Sequence, residues 1–191
     1  MTDQLKLFGA PPHLPEGFRY EPDLISPAEE EALLVHVAAL PFENFEFHGY
    51  VGKRRVVSYG WKYDFNERLL RDAEGIPSFL TALRERAAAF GGIGPERLQQ
   101  VLVTEYEAGA AIGWHRDKAV FGDVIGISLL SSCTFRLRRK VGTAWERASI
   151  TAEPRSAYLL SGPSRTEWEH SIPAVDALRY SITFRSMRTD S

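Results

Sequence analysis

Cysteine is almost absent from this chain of 191 residues, which contains only Cys133. A single cysteine cannot form a disulfide within the chain, so a disulfide-stapled fold is excluded and a reducing compartment is favoured. Long apolar runs are lacking too, because residues 32–40 are interrupted by a histidine and a membrane span needs about 20 residues. The N-terminus has no basic-then-apolar signal pattern. We therefore expect a cytoplasmic protein without membrane contact.

Neither sign of charge is in clear excess, since 23 basic and 25 acidic residues give a formal net charge of -2. The chain thus has no global positive field to attract nucleic acid, and any contact with a polyanion would have to come from local patches. The composition, 44% hydrophobic and 12% aromatic, excludes collagen-like, low-complexity and coiled-coil proteins. The length fits a single globular domain.

Proline and helix signals divide the N-terminal part of the chain. Four prolines interrupt residues 1–22, which we predict to be a flexible tail. Ser26 is a favourable N-cap before Pro27, and this pair predicts a helix whose apolar stripe ends at the next proline. A second helix is predicted over 77–90. The aromatic and basic residues between the helices, 42–76, are predicted to be irregular.

The sequence becomes rich in short β-type runs after residue 98. These runs cover residues 100–106, 111–117, 123–130, 133–139, 145–151, 156–160, 167–172 and 178–186. Short strands separated by glycine and proline turns favour a sandwich, jelly roll or barrel over a parallel α/β sheet. We predict one α+β domain over 23–191, with the helices first and the β-core over about 98–188.

Three residues in this β-rich part could hold a metal ion. Side chains two apart on a strand share a face, so His115 and Asp117 could act together. With one further histidine they would form the facial triad that binds non-haem Fe(II), and His170 is a candidate that lies 53 residues after Asp117. For each motif alone, a surface histidine beside a turn or a core histidine bonded to backbone is the commoner explanation.

A strand near the C-terminus has one polar face. Residues 178–185 alternate strictly and place Arg179, Ser181, Thr183 and Arg185 on the same side. An ordinary half-exposed strand would show this pattern with its arginines in water. The face also suits a dicarboxylate, because the planar guanidinium binds a carboxylate with two parallel hydrogen bonds.

These features together resemble the AlkB family of Fe(II)- and 2-oxoglutarate-dependent dioxygenases. The motifs that carry the resemblance are, in chain order, Thr104-Glu105-Tyr106 with Gly109, His115-x-Asp117, His170 and Arg179-x5-Arg185. The resemblance covers about residues 54–185 and implies a double-stranded β-helix, or jelly roll, preceded by helices and a nucleotide-recognition lid. It implies Fe(II), 2-oxoglutarate and O2 as cofactors and co-substrates, with the two histidines and Asp117 as the iron ligands.

The resemblance also assigns residues to 2-oxoglutarate. Arg179 would bind the distal carboxylate, helped by Tyr106, while Arg185 and Ser181 would lie nearer the carboxylate that chelates the metal. Thr104 stands where the family usually has asparagine, which removes an amide but keeps a hydroxyl. No catalytic residue beyond the metal ligands is implied.

The aromatic and basic segment over about 45–75 is similar to the family's nucleotide-recognition lid. Its side chains suit base stacking and phosphate contact, although a solvated loop with packed aromatics would look the same. Ala119 stands where DNA-repair members carry an acidic residue near the flipped base, so their base preference is not carried over. The expected substrate contacts are Arg54, Tyr59, Trp61, Tyr63 and Arg116.

The resemblance implies oxidative demethylation of alkylated nucleic-acid bases, with DNA repair as the expected setting. Such a reaction releases formaldehyde, succinate and CO2. The same chemistry on RNA, a protein side chain or a small molecule is an alternative. A further alternative is a non-catalytic binding module. We expect a monomer.

Two short segments suggest contacts with other molecules. Gln4, Leu5, Leu7 and Phe8 form a peptide similar to the one by which bacterial repair proteins bind the sliding clamp, although such a tail could also pack on its own core. The basic residues of 135–140 could contact phosphates, and a solvated hairpin would explain them as well.

Overall fold

Thirteen β-strands and three α-helices make up the described part of the chain, residues 14–47, 50–64, 69–72 and 74–188 of a computed structural model. The helices are α1 (Pro27–Val37), α2 (Thr81–Gly91) and α3 (Gly162–Thr166), and short 3-10 turns span Ser78–Leu80 and Pro95–Arg97. The strands are β1 (Phe18–Glu21), β2 (Glu43–Phe47), β3 (Tyr50–Tyr59), β4 (Trp61–Asp64), β5 (Leu69–Asp72), β6 (Leu98–Tyr106), β7 (Ile112–His115), β8 (Phe121–Leu129), β9 (Cys133–Val141), β10 (Ala144–Ala152), β11 (Ala157–Leu160), β12 (Glu169–Ile172) and β13 (Arg179–Met187).

Two antiparallel sheets form the body of the fold. The larger sheet has seven strands in the order β1-β11-β8-β13-β6-β3-β2, and the smaller has four in the order β10-β9-β12-β7. A separate pair, β4-β5, follows β3. Sequence neighbours are often separated in the sheets, as in a jelly roll. The predicted α+β jelly roll is confirmed, and each of the eight runs predicted after residue 98 corresponds to one of the strands β6 to β13.

The larger sheet separates two hydrophobic clusters. One cluster packs α1 and α2 against the sheet and includes Val37, Leu83, Ile182 and Phe184. The other fills the space between the two sheets and contains Phe135 from the smaller sheet. Alternation along β13 therefore sends its apolar residues to the helices and its polar residues into the space between the sheets, which we call the barrel. The arginines of β13 are thus not in water.

Both predicted helices are present, and their ends follow local chemistry. Ser26 Oγ accepts the Glu29 backbone N–H at 3.2 Å, and the Glu29 carboxylate accepts the Ser26 N–H at 2.7 Å, so α1 begins with a capping box. α2 ends at Gly91 and is capped by Gly92, whose φ of +71° is accessible to glycine without steric cost. No helix in the described ranges is long and apolar enough to cross a membrane.

Two predictions for the N-terminal part are corrected. Residues 18–21, assigned to the tail, form β1 and pair with β11, so the folded domain begins before residue 23. Residues 42–76, predicted to be irregular, contain β2 to β5, and β3 pairs with β6 over residues 54–59. The sequence did not reveal these strands for two reasons. The four residues of β4 or β5 are too few to show an alternating pattern, and the arginines of β3 interrupt its apolar residues.

Candidate metal and co-substrate centre

The two histidines of the predicted triad lie side by side on paired strands. β12 pairs with β7 in a register that places His170 opposite His115, and their ring centroids are 4.3 Å apart. The ring of His170 also stacks on Phe135 inside the barrel, with centroids 5.3 Å apart. A pairing between residues 55 positions apart brings them together, as the jelly-roll topology requires.

Asp117 completes the group two residues after His115. The ligand atoms of the three residues lie within 4.8 Å of one another, and Asp117 Oδ2 is 3.6 Å from His170 Nε2. Its other oxygen, Asp117 Oδ1, accepts a hydrogen bond from Arg185 Nε at 2.8 Å and forms an ion pair with Arg185 Nη2 at 2.7 Å. Two imidazoles and one carboxylate at this spacing form the donor set of a non-haem Fe(II) site, so the residues fit the metal.

The protonation states of the group suit a metal ion. Burial alone would raise the pKa of Asp117, but Arg185 and the two histidines hold it well below its usual range. Burial lowers the pKa of His170 to about 3, against the opposing effect of Asp117. Asp117 is therefore ionised and His170 neutral near pH 7, which are the forms that bind a metal.

His115 is oriented by its own strand. Its Nδ1 lies 2.9 Å from the Gly113 carbonyl, so a proton on Nδ1 is donated there and Nε2 remains the coordinating atom.

Arg179 supplies an open hydrogen-bond donor inside the barrel. The side chain is 1% exposed, and its Nε and Nη2 donate to Ser128 Oγ at 3.1 and 2.7 Å. Its guanidinium carbon lies 4.8 Å from the centroid of the Tyr106 ring. Nη1 is buried and has no hydrogen-bond partner among the described residues. A buried charged donor without a partner is costly, and a carboxylate of 2-oxoglutarate would satisfy it.

Hydroxyl groups line the sheet between Arg179 and the metal group. Ser181 is opposite Thr104 on β6 and opposite Ser128 on β8, so three hydroxyl residues form one cross-strand row on the barrel face. Thr104 and Ser181 are two of the residues predicted to contact 2-oxoglutarate, and the structure brings them together. Ser128 was missed, and its only sequence signal is a polar residue within an otherwise apolar run.

Arg185 lies at the opposite end of this face from Arg179. In addition to Asp117, it donates from Nη1 to Gln100 Oε1 at 2.9 Å. Its contact in the structure is thus the candidate metal ligand itself. The contact predicted with the chelating carboxylate of 2-oxoglutarate stays a prediction.

The five predicted substrate contacts do not share one location. Arg54 is opposite Tyr106 on the barrel face, with its guanidinium carbon 3.9 Å from the centroid of the Phe45 ring. Tyr59 is 5% exposed and packs in the cluster beneath the helices, so the structure places it away from the barrel and from the other predicted contacts. Since β3 alternates, Tyr59 faces away from the barrel when Arg54 faces into it.

The remaining predicted contacts are Trp61, Tyr63 and Arg116. Trp61 begins the β4-β5 pair directly after Gly60, whose φ is +77°. The side chain of Tyr63 lies outside the described residues, as do Gln4, Leu5, Leu7 and Phe8. Arg116 is exposed and donates to the Thr166 carbonyl at 3.1 Å.

A cavity of about 330 Å³ opens beside Asp117. Arg116, Ala119 and Arg165 are among the residues that line it. Arg165, on α3, was missed in the sequence. It is 8% exposed and donates to the carbonyls of Lys118, Phe121 and Gly122 at 2.7–2.9 Å. Arg165 therefore fixes the segment that follows Asp117 to the helix that precedes His170.

Known proteins resemble this chain in sequence and in fold. Residues 17–185 match the sequence model of the 2OG-Fe(II) oxygenase superfamily. The chain is 30% identical over 193 residues to the Alkylated DNA repair protein ALKBH8 homolog of Arabidopsis thaliana, covering 87% of this chain and 54% of that protein. It is 31% identical over 148 residues to the Probable RNA/DNA demethylase ALKBH6 of Danio rerio, covering 77% and 60%.

The chain therefore spans little more than half of the length of these relatives. In fold, the solved structure of OsALKBH1 superposes with a TM-score of 0.69 at 16% identity, covering 92% of this chain and 100% of the other.

Proposed function

Since the chain belongs to the 2OG-Fe(II) oxygenase superfamily as an AlkB-like member, we propose that it oxidatively demethylates alkylated nucleic-acid bases, with DNA repair as the setting. It is an Fe(II)- and 2-oxoglutarate-dependent dioxygenase. What its relatives' names state, alkylated-DNA repair for one and RNA/DNA demethylation for the other, supports a nucleic-acid substrate for this chain.

His115, Asp117 and His170 would hold the iron, and Arg179 would bind a carboxylate of 2-oxoglutarate. When bound, iron with 2-oxoglutarate and O2 supplies oxidation of a substrate C–H bond, coupled to conversion of 2-oxoglutarate to succinate and CO2. Hydroxylation of an N-methyl group gives a hemiaminal, which breaks its C–N bond to release formaldehyde and the unmodified base. Arg185 keeps Asp117 ionised and oriented, and the Phe135 ring packs against the ring of His170.

The observation that carries the proposal is the open Nη1 donor of Arg179 in the barrel that also holds the triad. A nucleic-acid substrate is supported by the cationic and aromatic side chains near the triad. Arg54 stacks on Phe45 beside Tyr106, and Arg116 lines the cavity beside Asp117. The cavity volume of about 330 Å³ is sufficient for a methylated base, since ligand pockets commonly start at roughly 300 Å³.

The test is formaldehyde release from methylated single-stranded DNA by protein loaded with Fe(II), 2-oxoglutarate and ascorbate. We expect formaldehyde and succinate in equal amounts, and loss of both with His115→Ala. Succinate formation without formaldehyde on every methylated DNA tested would contradict the substrate while leaving the dioxygenase chemistry intact.

Methylated RNA is the second candidate substrate. The name of the Danio rerio relative includes RNA, and Ala119 lacks the acidic group that DNA-repair members place near the base. The same assay with methylated RNA, a methylated peptide and a free methylated nucleoside separates the remaining alternatives. A non-catalytic module is not retained, because the metal-binding group is complete.

Docking on the bacterial sliding clamp through Gln4, Leu5, Leu7 and Phe8 also remains our proposal, as do a monomeric state and a cytoplasmic location. A pull-down of the purified clamp by the whole chain tests the docking. Binding should be lost when Leu7 and Phe8 are both changed to Ala, and equal binding by both proteins would contradict it.

A further inference from the structure

The outward face of the four-stranded sheet is lined by arginine and tryptophan. Alternation along β7 and β12 turns His115 and His170 into the barrel and their neighbours Trp114 and Glu169 out of it. β9 and β10 add further cations and a second tryptophan to this side. We call the following residues the outer basic face: Trp114, Arg136, Arg138, Lys140, Trp145 and Arg147.

Two arginines of this face are held in fixed positions. The Arg138 guanidinium carbon lies 4.4 Å from the Trp114 ring centroid and 4.3 Å from that of Trp145, and its Nε donates to Glu169 at 2.7 Å. Arg136 lies 5.0 Å from the Trp114 ring and donates from Nε to Ser171 Oγ at 3.0 Å. Fixed guanidinium groups lose little side-chain entropy when they bind a ligand.

The charge of the outer basic face contrasts with that of the rest of the chain. Its strand positions carry four cations and one carboxylate, Glu169, which is paired with Arg138. Within the described residues, Arg136 and Arg147 have no carboxylate partner. Elsewhere the chain has 19 basic and 24 acidic residues. The outer basic face therefore has an excess of positive charge, although the chain as a whole has a net charge of -2.

The next residue along β9 shows that this arrangement is specific to one side. Arg139 faces the other way, and its Nη1 and Nη2 are bound by Glu167 at 2.5 Å and Glu146 at 2.8 Å. Its charge is therefore neutralised by the protein. The outward cations Arg136 and Arg147 are left for an anion from outside.

We propose that the outer basic face binds the phosphodiester backbone of single-stranded nucleic acid next to the base that enters the barrel. This inference rests on the proposed nucleic-acid substrate. β7 is the edge strand of the smaller sheet, and it carries Trp114 on the outer side and His115 on the barrel side. A nucleic-acid strand that crosses this edge therefore reaches both sides of the sheet. The residue after His115, Arg116, lines the cavity beside Asp117.

The chemistry of the face favours a single strand. Guanidinium groups bind phosphate oxygens with paired hydrogen bonds, and tryptophan or arginine planes stack on unpaired bases. A flat sheet with aromatic and cationic side chains offers both contacts at once. A paired duplex would offer the phosphates but would keep its bases out of reach of Trp145.

The test compares two charge reversals at exposed arginines. Arg147→Glu changes the outer basic face, and Arg97→Glu changes an exposed arginine in the 3-10 turn before β6. Binding of a fluorescent 20-nucleotide DNA or RNA strand is measured by anisotropy at several salt concentrations. We expect Arg147→Glu to weaken binding about tenfold and to reduce the salt slope by roughly 0.7 for each lost phosphate contact. Arg97→Glu should bind as the unchanged protein does.

Two further outcomes separate this inference from the proposed function. If a methylated trinucleotide is demethylated but Arg147→Glu and Arg97→Glu bind the 20-mer equally, the outer basic face is not the binding surface and the function stands. If Arg147→Glu alone weakens binding but no methylated strand is demethylated, the surface stands and the function fails. Equal weakening of duplex and single-strand binding would overturn the preference for a single strand.

Discussion

The two ends of β13 carry the same residue in opposite situations. Arg185 has its donors bound by Asp117 and Gln100, both from the protein. Arg179, on the same face of the same strand, has Nη1 buried without a partner among the described residues. The difference indicates two roles. Arg185 binds a candidate metal ligand of the protein itself, whereas Arg179 has a donor free to bind a carboxylate of the co-substrate.

Exchanging each arginine for glutamine should separate these tasks. We expect Arg179→Gln to raise the KM for 2-oxoglutarate about 100-fold and to leave Mn(II) affinity within twofold, because only the co-substrate's charge-assisted hydrogen bonds are lost. Arg185→Gln should instead weaken Mn(II) binding, because Asp117 loses the hydrogen bond that orients its carboxylate and its pKa rises, so that a proton competes with the metal. Succinate formation and calorimetric titration with Mn(II) measure the two effects.

Arg179→Lys and Arg185→Lys, which keep the charge, are the matched controls. If Arg179→Gln lowers Mn(II) affinity as much as Arg185→Gln does, the two ends are not distinct and the assignment of Arg179 to the co-substrate is wrong. Thermal unfolding of each variant shows whether the change is confined to the centre.

A smaller effect is expected at Arg165, which supports the Arg185 end from outside. Its three hydrogen bonds to the carbonyls of 118–122 hold the segment after Asp117. We expect Arg165→Gln to lower Mn(II) affinity about tenfold, as for other residues that orient a metal ligand, with an unchanged KM for 2-oxoglutarate. Partial rescue by Arg165→Lys is expected at most, because one ammonium cannot reach all three carbonyls. An equal change in both constants would point to general unfolding instead.

The pH dependence of the stability of the metal-free protein tests the electrostatics around His170, next to Asp117 and Arg185. The pKa of His170 is lowered from 6.5 to about 3, so between these values the unfolded chain binds a proton that the folded chain does not. The free energy of unfolding should therefore fall as the pH falls from about 6.5 towards 3, by at most about 1.4 kcal/mol per pH unit. Asp117 adds to the loss only at lower pH, since its usual pKa is 3.8 and its folded pKa is below that.

Urea unfolding at pH 5 and pH 7 measures this change. His170→Asn should show a shallower dependence over the same range, because the titrating ring is gone. The same slope in both proteins would mean that His170 is not the group responsible.

The difference between the two arginines also shows what the sequence could reveal. The triad residues and both arginines stand in a fixed order, so their proximity was predictable from motif and topology. Whether an arginine is satisfied depends on cross-strand partners such as Ser128 and Gln100, which lie far away in the chain. Arg165 acts on backbone carbonyls, and such contacts leave no pattern in side-chain types.

The same reasoning explains the corrections in the lid segment. Its residues have the right composition for substrate contact, but composition does not fix which face of β3 meets the barrel. That face is decided by the pairing of Arg54 with Tyr106. A shift of one residue in this register would have exchanged Arg54 and Tyr59 between the barrel and the helices.

The smallest predicted effect concerns Tyr59 and follows from the register between β3 and β6. Arg54 and Arg179 are both opposite Tyr106, on the two strands that flank β6, whereas Tyr59 packs beneath the helices. We expect Tyr59→Phe to leave demethylation within twofold, because its hydroxyl takes no part in the site. Arg54→Gln should reduce kcat/KM on a methylated oligonucleotide several-fold more than Tyr59→Phe does. If Tyr59→Phe were the more damaging change, Tyr59 rather than Arg54 would lie on the barrel face of β3. The assignment of Arg54 to the substrate site beside Tyr106 would then be wrong.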